Sequence, residues 1–297
     1  MRTRFAPAPT GYLHLGHVAN ALHVWGVARA RGAEVLLRVE DHDRQRCRPE
    51  YEAALLEDLE WLGFEPDIAP PALFRRGPTR YRQSDNATAY RAAVEQLLAA
   101  GHRVYACDCS RQDLLARAGR PAGAGSELRY DGYCRERALS HRQGRALRVV
   151  LPAAVERFED FRLGPQAQDP QAQCGDLLLR DRRGNWTYQF CVVVDDRDQD
   201  VDLIIRGMDL LESTGRQLLL GRMLGRTQSP RVLHHPLLLK SGGAKLSKAD
   251  RDTGVCELRR QGVTSADILG TALHQLGLHG GGPLSLREAL TLFSLPV

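Results

Sequence analysis

Residues 8–17 read Ala-Pro-Thr-Gly-Tyr-Leu-His-Leu-Gly-His, and they lie where a predicted first strand, residues 2–7, turns into a predicted helix, residues 17–31. Apolar side chains recur at helical spacing through residues 17–31. Backbone N–H groups at a helix N-terminus attract anions, and the aligned peptide dipoles add to this attraction. The imidazoles of His14 and His17 could donate hydrogen bonds to a triphosphate at this turn. The alternative is that both histidines only cap the helix.

A second glycine-flanked segment lies far downstream. Residues 242–248 read Gly-Gly-Ala-Lys-Leu-Ser-Lys, and they follow a strand-like run at residues 234–240. Two lysines three positions apart, Lys245 and Lys248, could clamp a departing pyrophosphate. The alternative is a solvated basic loop, which is the usual fate of paired lysines.

Strands and helices alternate outward from these two segments. Compact apolar runs at residues 35–39 and 201–207 are typical of buried parallel strands. Helical spacing recurs at residues 50–62 and 210–224. This alternation predicts an α/β fold built on a parallel sheet.

Three further stretches complete the expected secondary structure. Residues 176–196 predict a hairpin-like pair around Gly184 and then a strong β run, and residues 165–175 predict a polar loop. Helical spacing at residues 266–278 and 285–293 predicts a small helical subdomain at the C-terminal end.

The change of character in the middle of the chain suggests an insertion between two halves of one sheet. Four segments follow: a first catalytic half (residues 1–82), an inserted subdomain (83–176), a second catalytic half (177–240), and the lysine loop with the helical subdomain (241–297).

Composition excludes several classes of protein. The 297 residues are 43% hydrophobic and 26% charged, which is ordinary for a globular chain. Seven cysteines without a secretory signal argue against a disulfide framework, and no run of apolar residues is long enough to span a membrane. We therefore expect a cytoplasmic protein without a membrane partner. The net charge of +5 suits a polyanionic partner but does not require one.

The two phosphate-handling segments resemble signatures of class I aminoacyl-tRNA synthetases. His14, Gly16 and His17 match the His-x-Gly-His element, and residues 245–249 are similar to the Lys-Met-Ser-Lys-Ser loop, with Leu246 in place of Met and Ala249 in place of the last Ser. The resemblance implies a Rossmann-like catalytic domain that uses ATP with Mg²⁺. His14, His17, Lys245 and Lys248 would be catalytic, and His14, Gly16, His17 and Lys248 would bind ATP. Gly16 would also let a ligand approach the backbone closely.

Residues 4–11 (Arg-Phe-Ala-Pro-Ala-Pro-Thr-Gly) resemble the opening of glutamyl-tRNA synthetases, as do residues 38–41, Tyr188 and residues 205–207. The resemblance implies a glutamate site formed by Arg4, Ala6, Ala8, Glu40, Tyr188 and Arg206. In that family, Arg4, Tyr188 and Arg206 match the positions that contact the side chain of glutamate. Glu40 matches the position that holds the α-amino group.

Elementary chemistry supports a glutamate substrate. Its side-chain carboxylate needs bidentate cationic partners, which arginine supplies better than lysine. Its ammonium needs a fixed carboxylate, and Glu40 follows the predicted strand at residues 35–39, at the end of a parallel strand where ligands bind. A site for glutamine would gain little from two arginines aimed at a neutral amide. The alternative for Arg206 and Glu40 is a surface ion pair at strand ends.

Three cysteines converge in the predicted insertion. Cys107 and Cys109 form a Cys-x-Cys pair, and Cys134 follows later. Zn²⁺ binds thiolates well, and structural sites take four ligands. Tyr130, Asp131 and His141 are the candidates for the fourth, and the alternative is three free buried thiols.

The spacing Cys-x-Cys…Tyr-x-x-x-Cys resembles the metal site of glutamyl-queuosine tRNA(Asp) synthetases, which implies Zn²⁺ with Tyr130 as the fourth ligand. Members of that family resemble the catalytic half of glutamyl-tRNA synthetase without its anticodon-reading domain, and the short segment after Lys248 fits this description. The resemblance implies that glutamate is attached to the queuosine base in the anticodon of tRNA(Asp). We expect a monomer, although the sequence does not give the oligomeric state. Arginines expected to contact RNA phosphates are Arg111, Arg117, Arg120, Arg135, Arg137 and Arg142.

Two other functions stay open. A truncated glutamyl-tRNA synthetase would charge the acceptor end of a tRNA. A catalytically idle paralogue would only bind RNA or a protein, although an idle site has no physical reason to keep His14, His17, Lys245 and Lys248.

Overall fold

The computed structural model describes residues 1–119, 128–140, 144–238 and 253–293. The elements up to residue 117 are β1 (Arg2–Phe5), α1 (Leu15–Ala30), β2 (Glu34–Leu37), α2 (Pro49–Leu62), α3 (Pro71–Arg75), α4 (Ala87–Ala99), β3 (Val104–Cys107) and α5 (Arg111–Arg117), with a 3₁₀ turn at Gln83–Asp85. Here β1, α1, β2 and α2 fall where the sequence predicted them.

The later elements bring the chain back to the first sheet. They are β4 (Ala146–Val149), β5 (Glu156–Asp160), β6 (Gly164–Gln168), α6 (Pro170–Cys174), β7 (Leu177–Arg180), α7 (Tyr188–Asp198), β8 (Leu203–Gly207), α8 (Thr214–Met223), β9 (Arg231–His235), α9 (Val255–Arg260), α10 (Ser265–Gln275) and α11 (Leu286–Thr291), with a 3₁₀ turn at Met208–Ser213.

The strand pairings confirm an α/β fold with parallel sheet. Strands β1 and β2 are parallel, and β8 and β9 are parallel within a second sheet of order β6-β5-β9-β8. Strand β1 lies beside β8, and the N–H of Asp202 donates to the carbonyl of Arg2. The carboxyl ends of β1, β2, β8 and β9 therefore face one region of the molecule.

A third sheet, of order β3-β4-β7, is antiparallel. Its strand β7 lies beyond residue 176, whereas β5 and β6 lie before that residue and join β9. Strands before residue 176 thus pair with strands after it, across the predicted end of the insertion. The division into four segments remains a proposal.

The C-terminal helices belong to the same hydrophobic core as the first sheet. Helices α10 and α11 pack against α1, and their buried residues, including Leu273 and Ala289, lie in one cluster with Val35 of β2 and Leu22 of α1. Among the helices in the described ranges, each is too short or too polar to traverse a lipid bilayer.

The predicted β run at residues 188–196 is wrong, because this segment is helix α7. Residues Phe190 to Asp196 are all buried, so the helix is apolar around most of its circumference and has no amphipathic period to read. A continuous apolar run does not distinguish a buried helix from a buried strand.

Three neighbouring predictions also need correction. The polar loop at residues 165–175 is an edge strand, β6, followed by α6, whose N-terminus is capped by Asp169. An edge position tolerates Pro165, and an Asp-Pro pair is a helix start. Part of the helix at residues 210–224 is a 3₁₀ turn before α8. Strand β9 ends at His235, because Pro236 lacks the N–H that would continue the ladder.

Packing of α11 on α1 leads to a stability test at Gly26. A Cβ atom there would lie 2.5 Å from Cδ2 and 2.6 Å from Cβ of Phe293. Helix propensity alone favours alanine, but this overlap is too close to accommodate, so we expect Gly26→Ala to lower the unfolding free energy by about 1–3 kcal/mol in urea titrations.

Gly221 in α8 is the matched control, because its nearest atoms would lie 3.7 Å from an added Cβ. Gly221→Ala should leave stability unchanged or raise it by up to about 1 kcal/mol. Equal stability of the two variants would contradict the packing of Phe293 on α1.

Candidate active site

A cavity of about 600 Å³ opens where the carboxyl ends of the parallel strands meet the N-terminus of α1. Every site residue that the sequence predicted, and that the structure describes in this region, lines it: Arg4, Ala6, Ala8, His14, Gly16, His17, Glu40, Tyr188 and Arg206. They come from β1 and the turn after it, the start of α1, the segment after β2, the start of α7, and β8. Residues separated by up to about two hundred positions in sequence thus share one cavity.

The two histidines cap helix α1. The N–H of Gly16 donates to Nδ1 of His14 at 3.1 Å, and the N–H of His14 donates to Nδ1 of His17 at the same distance. Because Nδ1 accepts a hydrogen bond in each ring, the proton of the neutral imidazole resides on Nε2. Capping and ligand binding are therefore compatible here: the cap fixes the tautomer, and both side chains line the cavity.

Gly16 is required for this arrangement. A Cβ at Gly16 would lie 2.9 Å from Cε1 and 3.1 Å from Nδ1 of His14. The glycine makes room for the capping imidazole, whereas the sequence suggested only that it gives a ligand access to the backbone.

Arg206 is buried, with 4% of its surface exposed, and its hydrogen-bond acceptors are neutral. Its guanidinium donates to Nε2 of His234 at 3.0 Å, Oε1 of Gln217 at 2.6 Å and Oγ1 of Thr214 at 2.8 Å. Within the described ranges no carboxylate forms a salt bridge with it. Burial lowers the pKa of Arg206, but arginine stays protonated at neutral pH.

Asp160 sets the hydrogen bonding of His234. It accepts from Nδ1 of His234 at 2.6 Å, which leaves Nε2 as an acceptor for Arg206. Burial lowers the pKa of His234, so the imidazole is neutral and brings no charge of its own to Arg206.

A buried ion network lies beneath Arg4 and Glu40. Oδ1 of Asp196 accepts from Nε of Arg4 at 3.1 Å and from Nη1 of Arg38 at 2.7 Å, and Arg38 also donates to Oε1 of Glu40 at 3.0 Å. Burial by itself would raise the pKa of Asp196, but the guanidiniums of Arg4 and Arg38 hold it below its ordinary value. Asp196 is thus ionised at neutral pH, between the two guanidiniums.

Several cavity residues were not predicted. Asn20, His42, Asp209 and His235 line the cavity. The ring of His235 stacks on His23 with centroids 4.2 Å apart, and burial lowers the pKa of His235 to about 4. The sequence indicated only a strand-like run at residues 234–240, and that pattern did not place His235 at this site.

The predicted lysine loop, with Lys245 and Lys248, lies outside the described residues. The chain before it, Pro236 to Leu238, lines the cavity. After it, the N–H of Val255 donates to the carbonyl of Leu13, next to the capping histidines. Both flanks of the loop therefore lie beside the cavity.

A second constellation lies in the β3–α5 region. The sulfurs of Cys107, Cys109 and Cys134 are within 4.8 Å of one another, and Oη of Tyr130 is 3.4 Å from Sγ of Cys107 and 3.8 Å from Sγ of Cys109. Ligand atoms in a tetrahedral site with bonds of about 2.0–2.3 Å are about 3.3–3.8 Å apart. The cluster can hold a metal ion with little rearrangement.

The other candidates for a fourth ligand fit less well. The carboxylate of Asp131 is engaged by Arg117 at 2.6 Å, and His141 lies outside the described residues. Guanidinium nitrogens of Arg117 and Arg137 lie 3.4 and 3.5 Å from sulfurs of the cluster, and Arg148 lies 3.7 Å from the ring centre of Tyr130. These cations would offset the negative charge of a divalent ion bound by thiolates and a phenolate.

The arginines expected to meet RNA are placed only in part. Arg111, Arg117, Arg135 and Arg137 lie near the cysteine cluster, and three of them form salt bridges, Arg117 with Asp131, Arg135 with Asp176 and Arg137 with Asp108. Arg120 and Arg142 are outside the described ranges.

Comparison with known proteins identifies the family. The family model described as tRNA synthetases class I (E and Q), catalytic domain, matches residues 1–290. A glutamyl-Q tRNA(Asp) synthetase from Geobacter sulfurreducens is 40% identical over 274 residues, which cover 92% of this chain and 83% of the relative. Glutamate–tRNA ligase 1 from Acidithiobacillus ferrooxidans is 35% identical over 99% of this chain, which spans 60% of that relative.

A solved structure agrees with this relationship. The glutamate tRNA ligase from Elizabethkingia meningosepticum, in complex with its amino acid, superimposes with a TM-score of 0.79 and 26% identity, over 99% of this chain and 65% of the other. The chain belongs to the glutamyl-Q tRNA(Asp) synthetases, within the class I tRNA synthetases of the E and Q type.

Proposed function

We propose that this enzyme activates L-glutamate with ATP and transfers it to the queuosine base of tRNA(Asp). The observation that carries the proposal is the charge pattern of the cavity. Arg206 brings a buried positive charge that forms no salt bridge in the described ranges, Arg4 brings a second guanidinium, and Glu40 supplies a fixed carboxylate. A glutamate bound with its side-chain carboxylate between the arginines and its ammonium on Glu40 would complement all three.

Tyr188 supports this orientation from the start of α7. It lines the cavity and interacts electrostatically with Arg206, Arg4 and Glu40, and burial raises the pKa of its hydroxyl. A neutral phenol there can donate to the side-chain carboxylate of glutamate. Ala6 and Ala8 border the same space without adding bulk.

Activation would occur between the amino-acid site and the start of α1. The α-carboxylate attacks the α-phosphorus of ATP, a new P–O bond forms, and the bond to pyrophosphate breaks. The carboxylate is already ionised, so no general base is needed. Nε2–H groups of His14 and His17, with Lys245, Lys248 and Mg²⁺, would stabilise charge on the phosphates. In the second step a hydroxyl of the acceptor attacks the acyl carbon, and AMP leaves.

Names of relatives support queuosine in tRNA(Asp) as the acceptor. The Geobacter sulfurreducens relative is a glutamyl-Q tRNA(Asp) synthetase and is more similar, at 40% identity, than the Acidithiobacillus ferrooxidans glutamate–tRNA ligase at 35%. The two hydroxyls of the cyclopentene ring of queuosine would take the place of the ribose hydroxyls at an acceptor end. We further propose a monomer that works in the cytoplasm, where ATP, glutamate and tRNA are available.

The exchange of radiolabelled pyrophosphate into ATP tests the first step. We expect exchange that depends on glutamate, and not on glutamine or aspartate, without tRNA. Transfer is then measured with tRNA(Asp) that carries queuosine, with the same tRNA carrying guanosine, and with tRNA(Glu). Only the first should accept glutamate.

Other outcomes identify the alternatives. Acceptance by tRNA(Glu) alone would favour a synthetase that charges an acceptor end. Exchange at background level with every amino acid would favour an idle paralogue.

Substitution of Arg206 tests the glutamate site. Arg206→Gln keeps a polar side chain but removes the buried charge, so we expect the KM for glutamate in the exchange assay to rise by about 10- to 100-fold, as for loss of a charged hydrogen bond. Arg222→Gln is the control, because Arg222 pairs with Glu156 away from the cavity. A KM for glutamate that matches the unmodified enzyme would rule out this assignment.

We also propose that Cys107, Cys109, Tyr130 and Cys134 hold a structural Zn²⁺. Metal analysis of the purified protein should find about one zinc per chain. Tyr130→Phe should weaken zinc affinity by at least about 10-fold, the lower end of what loss of an outer-shell partner costs. Cys134→Ala should abolish stoichiometric binding, whereas Cys256→Ser, outside the cluster, should not. Unaltered zinc content in Cys134→Ala would refute the site.

A further inference from the structure

Asp196 joins two parts of the cavity wall without lining the cavity itself. Its side chain is 3% exposed and comes from α7, about two helical turns after Tyr188. A single oxygen, Oδ1, accepts from Nε of Arg4 at 3.1 Å and from Nη1 of Arg38 at 2.7 Å. The two guanidiniums would repel each other without this carboxylate.

Asp196 is connected to Arg4 directly and to Glu40 through Arg38. In the proposed function, these two residues contact different parts of the bound glutamate. On one branch, Arg4 reaches the cavity directly, and its Nη2 has no hydrogen-bond partner in the described ranges of the chain. On the other, Arg38 is fully buried and donates twice to Oε1 of Glu40, at 3.0 and 3.3 Å. Arg4 would meet the side-chain carboxylate, and Glu40 the α-ammonium.

We propose that Asp196 is a positioning residue for glutamate: it holds Arg4 directly and Glu40 through Arg38, and so fixes the separation between the cationic and anionic ends of the amino-acid site. The inference rests on the proposed function. Its physical basis is preorganisation, because recognition of a zwitterion at two points weakens when either partner is free to move. Burial makes the network rigid, since neither arginine can exchange its carboxylate partner for water.

The neighbouring carboxylate provides a matched control. Asp195 is 2% exposed, and it accepts from Tyr90 at 2.9 Å, Gln83 at 2.8 Å and Asn86 at 3.0 Å. No hydrogen bond in the described ranges joins Asp195 to Arg4, Arg38 or Glu40. Substitution of Asp195 therefore disturbs the same helix to a similar depth and breaks no hydrogen bond to Arg4, Arg38 or Glu40 within the described ranges.

The test is the KM for glutamate and the KM for ATP in pyrophosphate exchange, measured on the full-length enzyme. We expect Asp196→Ala to raise the KM for glutamate by at least about 10-fold and to leave the KM for ATP unchanged, because both branches end at the amino-acid site. Asp196→Asn keeps a neutral acceptor of the same shape and should raise the KM for glutamate by a smaller factor, about 3-fold. Asp195→Asn should lower the melting temperature without changing either KM.

Each result decides the inference. A purely structural role would lower kcat and thermal stability in the Asp195 and Asp196 variants alike and leave the KM for glutamate unchanged, which would overturn it. If Asp196→Ala does not fold, the isosteric Asp196→Asn decides, and an unchanged KM for glutamate in that variant would also overturn it. Failure of the unmodified enzyme to exchange with glutamate would instead overturn the proposed function, and the inference with it.

Discussion

A buried positive charge needs a partner, and the cavity of this enzyme is built around one, Arg206, that forms no salt bridge within the described ranges of the chain. Arg206 donates to an imidazole, an amide and a hydroxyl, all neutral, and Asp160 supports it only through the neutral ring of His234. An anionic ligand can therefore neutralise the buried guanidinium of Arg206. A protein selected for stability alone would gain by adding a carboxylate at this position.

The neighbouring network shows the opposite arrangement. Arg4, Arg38, Glu40 and Asp196 form alternating charges that balance among themselves within the fold. A balanced network can be buried at tolerable cost and holds its members in fixed directions. The site therefore combines one cation, Arg206, that can pair with an anionic ligand and a buried ion network that holds the surrounding groups in place. A selective amino-acid site requires both.

At the start of α1, the residues that cap the helix also line the cavity. His14 and His17 satisfy backbone donors of the helix N-terminus, and the same contacts set the tautomer of each ring. Gly16 is essential to the cap because a side chain there would collide with His14. The cysteine cluster has a similar double character: Cys107, Cys134 and Tyr130 are buried in the hydrophobic cluster of the third sheet, and the three thiols of Cys107, Cys109 and Cys134 lie close enough together that they could hold a metal ion.

The sequence by itself determined part of the cavity lining, but not Asn20, His42, Asp209 or His235. Resemblance to class I synthetase signatures indicated His14, Gly16 and His17, and resemblance to glutamyl-tRNA synthetases indicated Glu40, Tyr188 and Arg206. Such patterns can be read from sequence because the chemistry depends on residue type and on position at the end of a strand or the start of a helix. Only the tertiary structure decided that residues 188–198 form a helix, since a run of buried apolar residues has no period to read. That helix places Asp196 beneath Arg4 and Arg38, and contacts between residues 192 and 158 positions apart arise from folding rather than from any local pattern.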